Sequence, residues 1–217
     1  MIKILYEDNH LLVVCKPVNM PVCPDASGDP DLLSLLKADL KQRYQKPGNV
    51  YLGLVHRLDR PVGGIMVFAK TSKAAARLSE QLRNQRFLKG YLAVVTGKTM
   101  DQATYIDKLY KDKNTNITTV DPRGKTAELS FETLAFSSEL SLVKIRLNTG
   151  RSHQIRVQFS AHGHPLWGDQ KYNPQAVAKQ QLALYANELA FQHPITKERI
   201  EFNLKPDFPP FTLFGHY

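Results

Sequence analysis

Leu142-Val143-Lys144-Ile145-Arg146-Leu147 alternates apolar and polar residues at the two-residue period of a half-buried strand. It runs into Asn148-Thr149-Gly150-Arg151-Ser152-His153-Gln154-Ile155-Arg156, whose continuation predicts a helix over 152–162. Ser152 is the expected cap and Gly163 lies just past the expected end. Outward from this strand and helix, Tyr91-Leu92-Ala93-Val94-Val95 reads as a strand, as do several segments between 103 and 148 and others near 187–192 and 199–204. Upstream, Ile2–Tyr6 and Leu11–Cys15 form an expected strand pair turned at Asp8-Asn9-His10. Residues 17–30 carry Pro17, Pro21, Pro24, Gly28 and Pro30 and read as a loop. Asp31 is placed to cap a helix with Leu32, Leu35, Leu36 and Leu40 on its apolar face. Tyr51–Leu58 and Ile65–Ala69 read as extended. Residues 72–85 predict a helix capped by Ser72, with Ala75, Leu78 and Leu82 on one face. Adjacent strands with scattered helices predict an α+β fold with a largely antiparallel sheet rather than a βαβ repeat, in one domain over residues 1–217.

The 217 residues are 42% hydrophobic and 23% charged, a balance that supports a buried core and argues against intrinsic disorder. Lys and Arg number 29 against 20 Asp and Glu, a formal charge of +9. Such an excess favours a polyanionic partner, because phosphates attract Lys and Arg and binding releases condensed counterions. No apolar run approaches the roughly 20 residues of a membrane helix. Acids at Glu7 and Asp8 interrupt the start too early for a secretory signal. Only Cys15 and Cys23 are present, which fits a reducing, cytoplasmic setting.

Several chemistries have no support. There is no phosphate-binding G-x-x-x-x-G-K-[ST] loop, no G-x-G-x-x-G fingerprint, no G-x-S-x-G elbow and no H-E-x-x-H helix. His153, His162, His164 and Asp169 lie close in sequence, yet His162-Gly163-His164-Pro165 reads as a helix end, and no metal site is expected.

Three constellations remain. In His56-Arg57-Leu58-Asp59-Arg60-Pro61-Val62-Gly63-Gly64, an acid lies between two arginines at the end of an apolar segment. Cations on both sides favour its ionised form, which suits a nucleophile or base. Taken alone, the motif reads as an ion pair at a strand end. Arg151 stands just before a helix N-terminus, an arrangement that suits a phosphate or a carboxylate such as Asp59; it reads equally as a capped helix with solvated arginines. From Lys70 to Tyr91 there are Lys70, Lys73, Arg77, Arg83, Arg86 and Lys89 against one acid, Glu80. A basic helix leading to an aromatic residue suits RNA backbone contact and base stacking. The segment with Asp101, Asp107 and Lys111–Thr119 reads as a solvated hairpin without a function.

Together these segments resemble the RluA family of RNA pseudouridine synthases. The resemblance is carried by residues 7–17 (Glu7-Asp8-Asn9-His10 through Lys16-Pro17), by His56-Arg57-Leu58-Asp59, and by Tyr91-Leu92-Ala93-Val94-Val95-Thr96-Gly97. It continues in Thr149-Gly150-Arg151-Ser152-His153-Gln154-Ile155-Arg156 and Gly163-His164-Pro165-Leu166-Trp167-Gly168-Asp169. It implies a catalytic domain with a bent mixed sheet and an RNA-binding cleft, and isomerisation of uridine to pseudouridine in transfer or ribosomal RNA. Asp59 is then the catalytic carboxylate, Tyr91 stacks on the target base and Arg151 pairs with Asp59. Ile155 lines the base pocket, and Arg57 helps displace the flipped nucleotide. A base must leave its stack before an enzyme reaches its glycosidic bond. Nothing is oxidised and no group is imported, so no cofactor is expected.

The sequence departs from the family pattern at three places. Val62-Gly63-Gly64 stands where many relatives have Thr-Ser-Gly, Cys15 where Asn or Asp is frequent, and Asn19 where glycine is common. The pattern starts at residue 2, without the small N-terminal RNA-binding module of larger relatives, so recognition is expected from the catalytic domain itself. A monomer is expected. A non-catalytic RNA-binding or folding-assistant protein on the same scaffold is the alternative, and a metal-dependent nuclease the weakest reading.

Overall fold

The computed structural model describes residues 2–215; Met1, His216 and Tyr217 lie outside the described residues. In chain order the elements are β1 (Lys3–Glu7), β2 (Leu11–Lys16), α1 (Leu32–Arg43), β3 (Gly53–Leu54), β4 (Gly63–Ala69) and α2 (Ser72–Arg83). They continue as β5 (Leu88–Thr96), β6 (Gln102–Asp112), β7 (Ile117–Val120), β8 (Lys125–Ser137) and β9 (Leu140–Leu147). The last are α3 (Gln154–Ala161), β10 (Leu184–Gln192), β11 (Arg199–Asn203) and a short 3-10 turn at Phe211–Phe214. This is the expected α+β class. The chain divides into two compact units, one formed by the described residues up to Leu88 with Ala186–Leu204, the other by Lys89–Tyr185 with the described residues from Lys205 on.

In the first unit β1 and β2 form the expected antiparallel pair. Its turn is fixed by Asp8, whose carboxylate accepts from the backbone N–H groups of His10 (2.7 Å) and Leu11 (2.6 Å). β2 pairs antiparallel with β4 from Leu11↔Ala69 to Lys16↔Gly64. All seven residues of β4 are buried. On its other side lies β10, and β11 pairs antiparallel with β10. Leu11, Val13, Ile65 and Val67 pack with Ala74 and Leu78 of α2 and with Phe87, Leu189 and Phe191 into one apolar core. Gly64 has a φ of +121°, and a side chain there would run into the backbone of Ala186, so only glycine serves.

Some local expectations shift. The carboxylate of Asp31 caps α1 by accepting from Ser34 N (3.0 Å), but only Leu32, Leu36 and Leu40 are buried, and Leu35 is exposed. The i, i+4 stripe is narrow enough to leave position 35 outside it. The cap of α2 is Thr71 rather than Ser72: its hydroxyl accepts from Ala74 N (3.1 Å) and Ser72 is the first helical residue. Ala74, Leu78 and Gln81 form its buried face, with Ala75 and Leu82 only partly covered. Of the extended stretch 51–58, only Gly53–Leu54 pairs with a neighbouring strand.

In the second unit the strands run β5-β9-β8-β6-β7, each pair antiparallel. Every residue of α3 from Gln154 to Phe159 is buried. Phe159 packs against Tyr105 and Phe131, with ring centroids 5.4 and 5.0 Å away. Arg156 donates Nε and Nη2 to the two carboxylate oxygens of fully buried Asp169 (2.8 and 2.7 Å). Such a two-pronged bond holds both the helix and the loop that follows it. The N-terminus of α3 differs from expectation. Ser152 does not cap it; His153 precedes the helix in the left-handed region at φ 52° with no side-chain cap. Gly163, at φ +82°, closes the other end as expected, its N–H donating to Ser160 O.

Candidate catalytic and RNA-binding residues

Asp59 lies in the first unit, in the connection between β3 and β4. Alternation along 56–59 buries Leu58 and turns Arg57 outward, with Asp59 partly exposed. His56 anchors the segment: its Nε2 accepts from Val67 N (3.1 Å), which fixes the ring tautomer with the proton on Nδ1. Val62 N donates to Asp59 O (3.0 Å) and closes the turn.

Beneath that turn sits Lys16, whose side chain is fully buried. Its ammonium donates to Val62 O (2.7 Å), Pro17 O (2.9 Å) and Arg60 O (3.1 Å). Three N–H groups meet three carbonyls, so the cation is fully satisfied, and it ties the end of β2 to the loop that presents Asp59. Burial pushes the Lys16 ammonium down to about 7, while the negative charge of Asp59 works in the opposite direction. Sequence reading gave this residue no role of its own, because two of its acceptors, Arg60 O and Val62 O, are distant in the chain. Arg60 corrects another expectation: it turns to the 25–29 loop, paired with Asp29 and bonded to Ser27 Oγ (2.9 Å).

Tyr91, Arg151 and Ile155 lie in the second unit. Tyr91 is 8% exposed on β5, opposite Ile145 of β9. Ile155 is buried in the first turn of α3. Arg151 is exposed on the preceding loop, its Nε donating to Thr126 O (2.8 Å). That loop is organised by buried Gln154. Its Oε1 accepts from Arg151 N (2.9 Å) and Thr149 Oγ1 (2.8 Å), and its Nε2 donates to Glu128 O (3.0 Å). Gln154, the first residue of α3, thus ties down the loop ahead of it, while the helix itself has no side-chain cap.

The basic stretch 70–91 splits. Lys70 is committed to Glu7 (2.8 Å) and Asp8 O (2.6 Å), and Arg77 to Pro194 O (2.8 Å). Lys73, Arg83 and Arg86 are exposed. The clustered histidines go to separate partners: His153 to Tyr172 Oη (2.6 Å), His162 to Asp107 (3.2 Å) and His164 to Thr96 O (3.0 Å). Asp107, on the β6 strand of the expected β6–β7 hairpin, also accepts from Gln158 Nε2 (2.7 Å), so it is a structural partner and not a solvated side chain. Among the described residues no cluster of His, Cys, Asp or Glu is arranged to hold a metal ion, and no helix is long and apolar enough to cross a membrane.

Residues 10–161, which include all five of the residues singled out, match the RNA pseudouridylate synthase family. The chain belongs to this family. It is similar to an uncharacterised RNA pseudouridine synthase, YhcT, of Bacillus subtilis, with 37% identity over 91% of this chain and 66% of the relative. It is also similar to the ribosomal large subunit pseudouridine synthase D of Zymomonas mobilis, with 35% identity over 93% of this chain and 68% of the relative. The chain thus spans about two thirds of the length of these curated relatives. The solved human RNA pseudouridylate synthase domain containing 4 shares the fold, with a TM-score of 0.81 and 23% identity over 98% of this chain and 92% of that one.

Proposed function

We propose that this pseudouridylate synthase family member isomerises uridine to pseudouridine within RNA, through one catalytic domain that takes in the whole chain. The observation that carries the reading is the family's H-R-L-D aspartate, Asp59, on a turn held from below by the three hydrogen bonds of Lys16. An acid needs that kind of fixed presentation to act on a sugar or a base. In this reading the bond from N1 of uracil to C1′ of ribose breaks, and C5 joins C1′. C5 loses its proton to water and N1 takes one up. Asp59 is the catalytic carboxylate and Arg151 its partner. Tyr91 and Ile155 form the aromatic and apolar walls for the flipped base, and Arg57 assists its displacement. The reaction is redox-neutral and calls for no cofactor. Large-subunit ribosomal RNA is the first substrate to test, on the strength of the relatives' names, with transfer RNA the second. We place the protein in the cytoplasm, as a monomer.

The test is tritium release from unmodified RNA carrying tritium at C5 of uridine. Wild type releases it and Asp59→Asn does not, while RNA binding is retained. Release by Asp59→Asn would sink the reading; salt-sensitive binding without release by wild type would favour a non-catalytic RNA-binding protein.

A further inference from the structure

Lys89 lies on β5 two residues before Tyr91. Because side chains on a strand alternate, Lys89 and Tyr91 project from the same face. Its ammonium rests against the loop that carries Arg151: a Cβ added to Gly150 would stand 3.3 Å from Lys89 Nζ. Lys89 is half-buried, yet it has no hydrogen bond or ion pair among the described residues. Burial alone pushes its ammonium below the ordinary lysine range. A desolvated cation without a counter-charge destabilises the fold that holds it. Among the described residues, the fully buried Lys16 instead donates to three carbonyls, and buried Arg156 pairs with Asp169.

We propose that Lys89 is the seat of a backbone phosphate of the bound RNA, at or beside the target nucleotide. The proposal rests on the RNA-modifying reading above. A phosphodiester suits the place. It keeps its charge throughout the reaction, and a compact ammonium binds it as a point charge without needing a planar, two-pronged partner. Gly150 leaves the approach open, since any side chain there presses on Nζ. Lys89 is then a positioning residue: it fixes the strand of RNA whose base is to lie on Tyr91.

The test compares wild type with Lys89→Met and Lys89→Arg, using an unmodified transcript of large-subunit ribosomal RNA. Affinity is measured against salt in an Asp59→Asn background, and tritium release is measured with Asp59 intact. Lys89→Met should weaken binding about tenfold, and its slope of log affinity against log salt should be shallower by about 0.7–0.9, the loss of one phosphate contact. KM should rise with kcat little changed, and Lys89→Arg should restore the slope. The melting temperature of Lys89→Met should stay level or rise, whereas a merely structural lysine would lower it on removal. An unchanged slope overturns the proposal. So does a fall in kcat at constant affinity, which would place the charge on the base instead. If wild type releases no tritium but the slope still changes, the catalytic reading fails and the phosphate seat stands. If wild type releases tritium and the slope is unchanged, the catalytic reading stands and the phosphate seat fails.

Discussion

The turn that carries Asp59 and the loop that carries Arg151 are both organised by one buried side chain, but the two side chains differ in kind. Lys16 under the first is a cation whose three protons meet three carbonyls. Gln154 under the second is a neutral amide that donates to one carbonyl and accepts from a backbone N–H and a hydroxyl. When protonated, Lys16 makes the stronger, charge-assisted bonds, so below about pH 7 the turn with the acid is held more firmly than the loop with the arginine. The difference follows what each loop has to do. The turn must aim a carboxylate and gains from rigidity. The loop must meet a long, flexible polyanion, and the cation beside it, Lys89, is left without a protein partner among the described residues.

The largest expected effect follows from removing the charged hub. Lys16→Met leaves three carbonyls facing an apolar group and should cost about 3–5 kcal/mol of stability, read by urea unfolding. A cost under about 1 kcal/mol would mean that water takes over those carbonyls and that the turn is not clamped. The same pair of proteins sharpens the point with pH. Burial pushes the native Lys16 ammonium down to about 7 from its ordinary value of 10.5, so between those values the native state binds fewer protons. Stability therefore rises with pH across that window in wild type. Lys16→Met should lose that rise, and an identical pH dependence in the two proteins would break the assignment.

Removing the neutral hub should cost less. Gln154→Leu strands the N–H of Arg151, while the carbonyl of Glu128 keeps its bonds from Asn148 N and Thr149 N; this is worth about 1–2 kcal/mol by the same measurement. Equal losses at Lys16 and Gln154 would erase the distinction between the loops. The smallest effect concerns Glu7, in the first unit but away from the turn. Burial alone would raise its carboxyl, yet hydrogen bonds from Lys70, Tyr44 and Arg43 outweigh that and hold it below its ordinary value. A lowered acid stabilises the fold above its unfolded value, near 4.5, and loses that contribution as pH falls through its native value. Glu7→Gln should therefore be less stable than wild type at neutral pH by under about 1 kcal/mol. The gap should close in acid, and a constant gap down to about pH 3 would count against the ion pair.

The elements were legible where hydrophobic period alone decides them. The strands at 11–16, 63–69 and 140–147 and the helices after Asp31 and Thr71 all announce themselves. What stayed hidden depends on distant partners or on choices between similar residues. Thr71 and Ser72 are both good caps, and only the backbone says which one stands outside the helix. The loop ahead of α3 is held by Gln154, the first residue of the helix, and no local period shows that its side chain reaches back to Arg151 N. Lys16 is unreadable because two of its acceptors, Arg60 O and Val62 O, lie more than forty residues away in the chain. For the candidate site, the motif with Asp59 was visible but ambiguous on its own. Resemblance to a family gave it a role, and nothing in the local sequence marked Lys89 as different from the solvated lysines near it.

The strand Leu184–Gln192 also sets a timetable. The first unit holds the residues up to Leu88, but its apolar core is completed by Leu189 and Phe191, with Phe87 and Phe191 stacked 5.0 Å apart. A chain emerging from the ribosome has Lys89–Tyr185, most of its second unit, interposed before those residues exist. The opening two fifths of the chain, in which Leu11, Val13 and Val67 have only α2 and Phe87 to pack against, lacks the rest of its core until nearly two hundred residues have been made. For such a topology, synthesis is a period of exposure, and cutting the chain at the boundary near residue 88 would release a fragment lacking part of its own interior.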